Sequence, residues 1–84
     1  MIFREVNEAE IRILKLLRMH LTLKHTTLAR YMEMGSVELL TPINHLEREG
    51  LVSVDNNRLN STTVYAATPK GMGLAREATR KEER

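Results

Sequence analysis

Apolar positions change their period along the chain, and each change marks an element. Ile11, Leu14, Leu17 and Leu21 recur at steps of three and four, and Ile13 and Leu16 widen the stripe, the pattern of an amphipathic helix. Asn7 is placed to cap this helix, and Glu10, three residues on, to complete a capping box. Glu8 and Glu10 suit the positive end of a helix, Lys15 and Arg18 the negative end. The first helix is predicted from Asn7 to Met19 or His20.

A second, short helix is predicted from Thr27 to Met32 or Met34. Thr26 or Thr27 caps it, Leu28, Ala29 and Met32 face inward, and Gly35 breaks the pattern. Leu39, Leu40, Ile43 and Leu46 define a third helix that Gly50 terminates. Its start has two solutions. A helix over 36–49 puts Pro42 in the interior, at a cost of about 3 kcal/mol. Alternatively Thr41 caps and Pro42 is the first helical residue. The longer helix, distorted before Pro42, is preferred.

After Gly50 the pattern becomes that of strands. Leu51–Val54 reads as one strand, 55–61 as a turn-rich tip, and Thr62–Ala67 as the return strand. A last helix begins at Thr68-Pro69, with Met72, Ala75 and Ala78 or Thr79 as a weak apolar stripe. Gly71 and Gly73 lower its propensity. The order helix, helix, helix, hairpin, helix is an α+β, mainly helical domain. One domain is expected over 1–84, with its core at about 7–80. Residues 1–6 and 81–84 are expected to be flexible or to join a dimer contact.

Composition narrows the chemistry. The chain has 84 residues, 42% hydrophobic and 29% charged, an ordinary balance for a folded domain. Phe3, Tyr31 and Tyr65 are its aromatics, so the core must be aliphatic. The absence of cysteine excludes a disulfide scaffold, a thiol nucleophile and a cysteine metal site. No apolar run approaches the ~20 residues of a membrane span. Charge follows at once in Met1–Glu5, unlike a signal peptide. A cytoplasmic protein with no membrane association is expected. There is no glycine-rich phosphate loop, no H-E-x-x-H and no nucleophile beside a base, so neither an enzyme nor a cofactor is expected. His20, His25 and His45 show no metal-ligand spacing and are expected as surface residues.

Three segments carry a resemblance. They are Leu28-Ala29-x-x-Met32-x-Met34, then Leu39-x-x-x-Ile43-x-x-Leu46-Glu47-Arg48-Glu49-Gly50-Leu51-Val52, then Tyr65-Ala66-Ala67-Thr68-Pro69-Lys70-Gly71. At this spacing, over about 7–80, the sequence resembles a winged helix-turn-helix domain, most of all the small MarR- and ArsR-like transcriptional regulators. The resemblance implies three helices, a two-stranded hairpin wing and a C-terminal helix. It implies a sequence-specific DNA-binding regulator, a repressor that occludes a promoter. Helix 36–49 would lie in the major groove and wing 55–61 on the backbone or minor groove. The turn carries Glu33 where such domains often have glycine, which leaves room for a reshaped turn.

Candidate DNA contacts follow from that geometry. Lys24, His25 and Thr27, with Thr26, lead into the second helix, whose free N–H groups suit a phosphate, and Arg30 adds positive charge. The outward positions of the third helix are expected to be Val37, Glu38, Thr41, Pro42, Asn44 and His45. Among these Thr41, Asn44 and His45, with Ser36 at the helix start, can hydrogen-bond bases or phosphates, and Asn44 can pair with adenine. Asn57, Arg58 and Asn60 are placed on the wing, beside Asn56, with Arg58 suited to a minor groove or a phosphate.

Charge keeps a second reading open. The whole chain has 13 basic and 11 acidic residues, net +2. Residues 35–50, however, set Arg48 against Glu38, Glu47 and Glu49, net −2. An acidic third helix containing proline can instead serve a protein–protein module, with Glu38, Pro42, Asn44 and His45 as the partner surface. Double-stranded DNA is the first partner expected. A homodimer and a protein partner stay open.

Overall fold

A computed structural model describes residues 6–57 and 62–82. Helix α1 spans Glu8–His20. Its capping box forms as expected: Asn7 Oδ1 accepts from the Glu10 N–H at 2.8 Å, and Glu10 Oε1 accepts from the Asn7 N–H at 3.1 Å. The helix stops at Leu21, which takes a positive φ of 70°. The chain then forms a strand that the sequence pattern did not disclose, β1 at Thr22–Lys24. Only Leu23 of its three residues is buried, too little for an alternating signal.

Helix α2 follows directly at His25–Met32. It begins earlier than predicted, so Thr26 and Thr27 lie inside it and do not cap it. Lys24 is the N-cap and makes no side-chain capping bond. Glu33 ends α2 in the left-handed region, at φ 58° and ψ 43°. The turn therefore keeps the backbone that glycine would favour, with glutamate occupying it.

Helix α3 spans Ser36–Arg48 as one unbroken helix with Pro42 inside. Gly35, not Ser36 or Thr41, is its N-cap. The Glu38 carboxylate reaches back to accept from the Gly35 N–H at 2.7 Å. Pro42 is buried, which corrects its expected outward position. Beyond α3, Gly50 adopts φ 76°. The Leu51 N–H then reaches the Leu46 carbonyl at 2.9 Å, the double wrap of a glycine-terminated helix.

Strands β2 (Val52–Asn57) and β3 (Thr62–Ala67) pair antiparallel, from Val52 opposite Ala67 to Asn57 opposite Thr62. Pairing thus continues through Asp55–Asn57, which were expected in the tip. On its other edge β3 pairs with β1, Leu23 opposite Tyr65. The expected two-stranded hairpin is a three-stranded sheet in the order β1-β3-β2.

Helix α4 spans Pro69–Glu82 and is clasped to the end of α3. The Thr68 N–H donates to the Leu51 carbonyl at 3.0 Å, and Thr68 Oγ1 donates to the Gly50 carbonyl at 2.7 Å. Lys70 Nζ donates to the Glu49 carbonyl at 3.1 Å. Gly71 permits this approach, because a Cβ there would lie 2.1 Å from the Leu51 oxygen. The core is aliphatic as expected: Ile13, Leu14 and Leu17 of α1, Leu28 of α2, and Leu39, Ile43 and Leu46 of α3 are buried, with Tyr65 as its one aromatic among the described residues. Among the described residues no helix is long and apolar enough to cross a membrane.

Candidate nucleic-acid interface

Two histidines fix the position of α3. The His25 ring bridges three elements. Its Nε2 lies 2.9 Å from the Ser36 carbonyl, which can only accept, so Nε2 carries a proton. Its Nδ1 lies 2.6 Å from the Tyr65 hydroxyl. Burial raises the pKa of that hydroxyl, and the charge of Glu47 raises it further, so Tyr65 holds its proton and can donate it to Nδ1. The starts of α2 and α3 are thereby pinned to β3.

His45 ties α3 to α1. Its Nδ1 lies 2.9 Å from Oε2 of Glu10, whose side chain is only 6% exposed, and its Nε2 lies 3.8 Å from Glu49 Oε2. Both rings are half-buried, whereas surface histidines were expected. His20 is exposed and stacks on Tyr31, ring centres 5.2 Å apart. Among the described residues no His, Asp and Glu group could hold a metal ion.

The outer face of α3 is a stripe at helical spacing: Val37, Thr41, Asn44 and Arg48, all exposed. Val37 is 78% exposed. Ser36 is exposed at the first turn. Leu40 and Glu47 flank the stripe towards the β-ribbon and line a groove of about 380 Å³ with His25, Asn44, Asn56, Thr63 and Tyr65. Glu38 is exposed, but its carboxylate is engaged at the helix start.

In the α2 region Lys24 and Arg30 are exposed, and Thr27 is half-buried. Among the described residues neither cation forms an ion pair. Helix α2 has no acidic residue in its first turn. On the ribbon, Asn56 Oδ1 accepts from the Thr63 hydroxyl at 2.9 Å, and Asn57 closes β2 opposite Thr62. Arg58 and Asn60 lie outside the described residues, as do the chain ends 1–5 and 83–84.

Lys24, Arg30, Ser36, Thr41 and Asn44 are thus all exposed, and His25 and His45 act as struts between elements. Val37 is outward as expected, and Arg48 joins the outward face, which an i, i+4, i+7, i+11 reading of α3 would have found. Of the residues named for a protein partner surface, Pro42 is buried, His45 pairs with Glu10, Glu38 is engaged at its own helix start, and Asn44 is exposed.

No protein-family model matches the chain, and no curated protein does. Solved structures do. FabT of Streptococcus pneumoniae in complex with DNA superposes with a TM-score of 0.87 at 16% identity, over 96% of this chain and 57% of that one. The adhesin competence repressor AdcR of Streptococcus pyogenes matches at 0.82 and 18%, over 95% of this chain and 60% of that one. MepR of S. aureus, in its DNA complex, matches at 0.82 and 17%, over 89% and 63%. The chain has the winged helix-turn-helix fold that its sequence led us to expect. It spans less than two thirds of the length of each of these proteins.

Proposed function

We propose that this chain is a DNA-binding transcriptional regulator and acts as a repressor, with α3 in the major groove and the wing on the backbone or minor groove. The observation that carries this reading is the exposed Val37-Thr41-Asn44-Arg48 face of α3, held at a fixed angle by His25 and His45. A major groove admits one helix, and the N-terminal residues of that helix reach the base edges. FabT and MepR, with the same fold, were solved in complex with DNA.

In this reading the labour divides. Thr41 and Asn44 meet base edges, Asn44 pairing with adenine. Lys24 and Arg30 meet phosphates, with Ser36 and Thr27 as hydroxyl donors, and the uncapped α2 start offers backbone N–H groups to one more. Asn57, Arg58 and Asn60 anchor the wing. His25 and His45 act by holding α3 rather than by touching DNA. Two copies of the chain read two half-sites about one helical turn apart. Bound there, the protein blocks the polymerase.

The acidic side chains around α3 make the phosphate contacts decisive. The test is fluorescence anisotropy with a labelled duplex across a salt series. Each phosphate contact adds about 0.9 to the slope of log K against log salt concentration. Arg30→Ala and Lys24→Ala should each lower the slope by about 1 and weaken all sequences alike. Binding that is absent at low salt, or insensitive to salt, overturns the proposal.

A further inference from the structure

We propose that Val37 reads thymine, through the C5 methyl group, and that α3 thereby selects A·T base pairs. This rests on the DNA-binding reading above and names the base class that the reading leaves open. Val37 is the second residue of α3, in the turn that reaches deepest when a recognition helix enters a major groove. It is 78% exposed, so the fold itself makes little use of its isopropyl group. In the major groove the apolar feature of a base edge is the thymine methyl.

The neighbouring positions reinforce this choice. One turn on, Thr41 presents a second methyl group on the same stripe, and Asn44 presents the amide that matches the N6 and N7 edge of adenine. A guanine reader would need arginine or lysine at these depths, and the first two turns of α3, Ser36–Ile43, carry neither. The nearest charged side chain, Glu38, can only accept hydrogen bonds once ionised and is held to the Gly35 N–H. The N-terminal half of this stripe thus offers two methyl-bearing side chains and one amide, a set that fits thymine and adenine and lacks the two-pronged cationic donor that best pairs guanine.

The experiment is selection of duplexes from a randomised pool by the whole chain, followed by affinity measurement on the selected site. Thymine is replaced by deoxyuridine one position at a time, which removes only the methyl. One or two positions should lose about three- to tenfold in affinity, the scale of one methyl group withdrawn from a contact. Val37→Ala should lose a similar factor on the thymine site and become indifferent to deoxyuridine there. Val37→Thr, which keeps the shape and one methyl, should retain part of the discrimination. Since Val37 is exposed, circular dichroism should show both variants folded. A selected site with G·C pairs opposite the first turn of α3, or deoxyuridine without effect at every position, overturns this inference while leaving DNA binding intact. Failure to bind any duplex at low salt overturns both.

Discussion

Gly71 and Gly73 stand two residues apart in α4, and replacing each by alanine should move stability in opposite directions. At Gly71 the new Cβ would sit 2.1 Å from the Leu51 carbonyl oxygen and 3.2 Å from Leu14 Cδ2. The first distance must open by more than an ångström to reach ordinary contact. The clasp cannot open that far without losing the Thr68 bonds to Leu51 and Gly50, about 1 kcal/mol each. Crowding against Leu14 adds about 1–3 kcal/mol. The better helix propensity of alanine returns about 1 kcal/mol. The net loss is about 2–4 kcal/mol, a large part of the roughly 4–13 kcal/mol that a chain of 84 residues has. At Gly73 nothing lies within 4 Å, so only the propensity gain applies, about 0.5–1 kcal/mol of added stability. Urea unfolding followed by helical circular dichroism measures both. Equal shifts for the two variants, or a Gly71→Ala protein as stable as the parent, would refute the clasp.

Three further perturbations test other parts of the structure. Glu33→Gly should raise stability by about 0.5–1 kcal/mol, because glycine takes the left-handed φ of 58° without strain; a lower urea midpoint would contradict that backbone. The Tyr65 hydroxyl has its folded pKa raised above the ordinary 10.0, so the native state holds that proton more tightly than the unfolded chain. Its contribution is complete below about pH 10 and is lost as pH rises through the raised value, so Tyr65→Phe should lessen the alkaline decline in urea midpoint. His45→Ala leaves Glu10 Oε2 without its partner and should cost about 1–2 kcal/mol, and a double-mutant cycle with Glu10→Gln should show coupling of about 1 kcal/mol.

The helices were legible because their signals are local. Asn7 and Glu10 form the capping box their spacing promised, and Thr68-Pro69 opens α4 where a cap and a first-turn proline belong. Pro42 shows where local cost yields to packing. Ile43 and Leu46 beyond it, and Leu39 before it, all belong in the core, and burying them as one helical face outweighs the lost hydrogen bond. Strand β1 was illegible because three residues with one buried side chain make no period, and its partner β3 lies some forty residues further along.

The site was legible in part. Thr41, Asn44, Lys24 and Arg30 are outward because helix and strand geometry alone places them there. His25 and His45 were misjudged as surface histidines because their partners, Tyr65 and Glu10, are 40 and 35 residues distant in sequence. A lone histidine in a sequence carries no mark of such a partner. Glu38 was read as an outward acidic residue, and the capping interaction that employs it required Gly35 to be recognised as the N-cap.

The proposed interface sets the outer face of α3, with Lys24 and Arg30, against DNA. Amide chemical shifts, recorded as a mixed duplex of about 20 base pairs is added at low and high salt, test it residue by residue. Shifts should concentrate in Lys24–Arg30, Ser36–Asn44 and the wing beyond Asn56, and fade as salt rises. Shifts that are absent at low salt, or that gather on α4 instead, would contradict it.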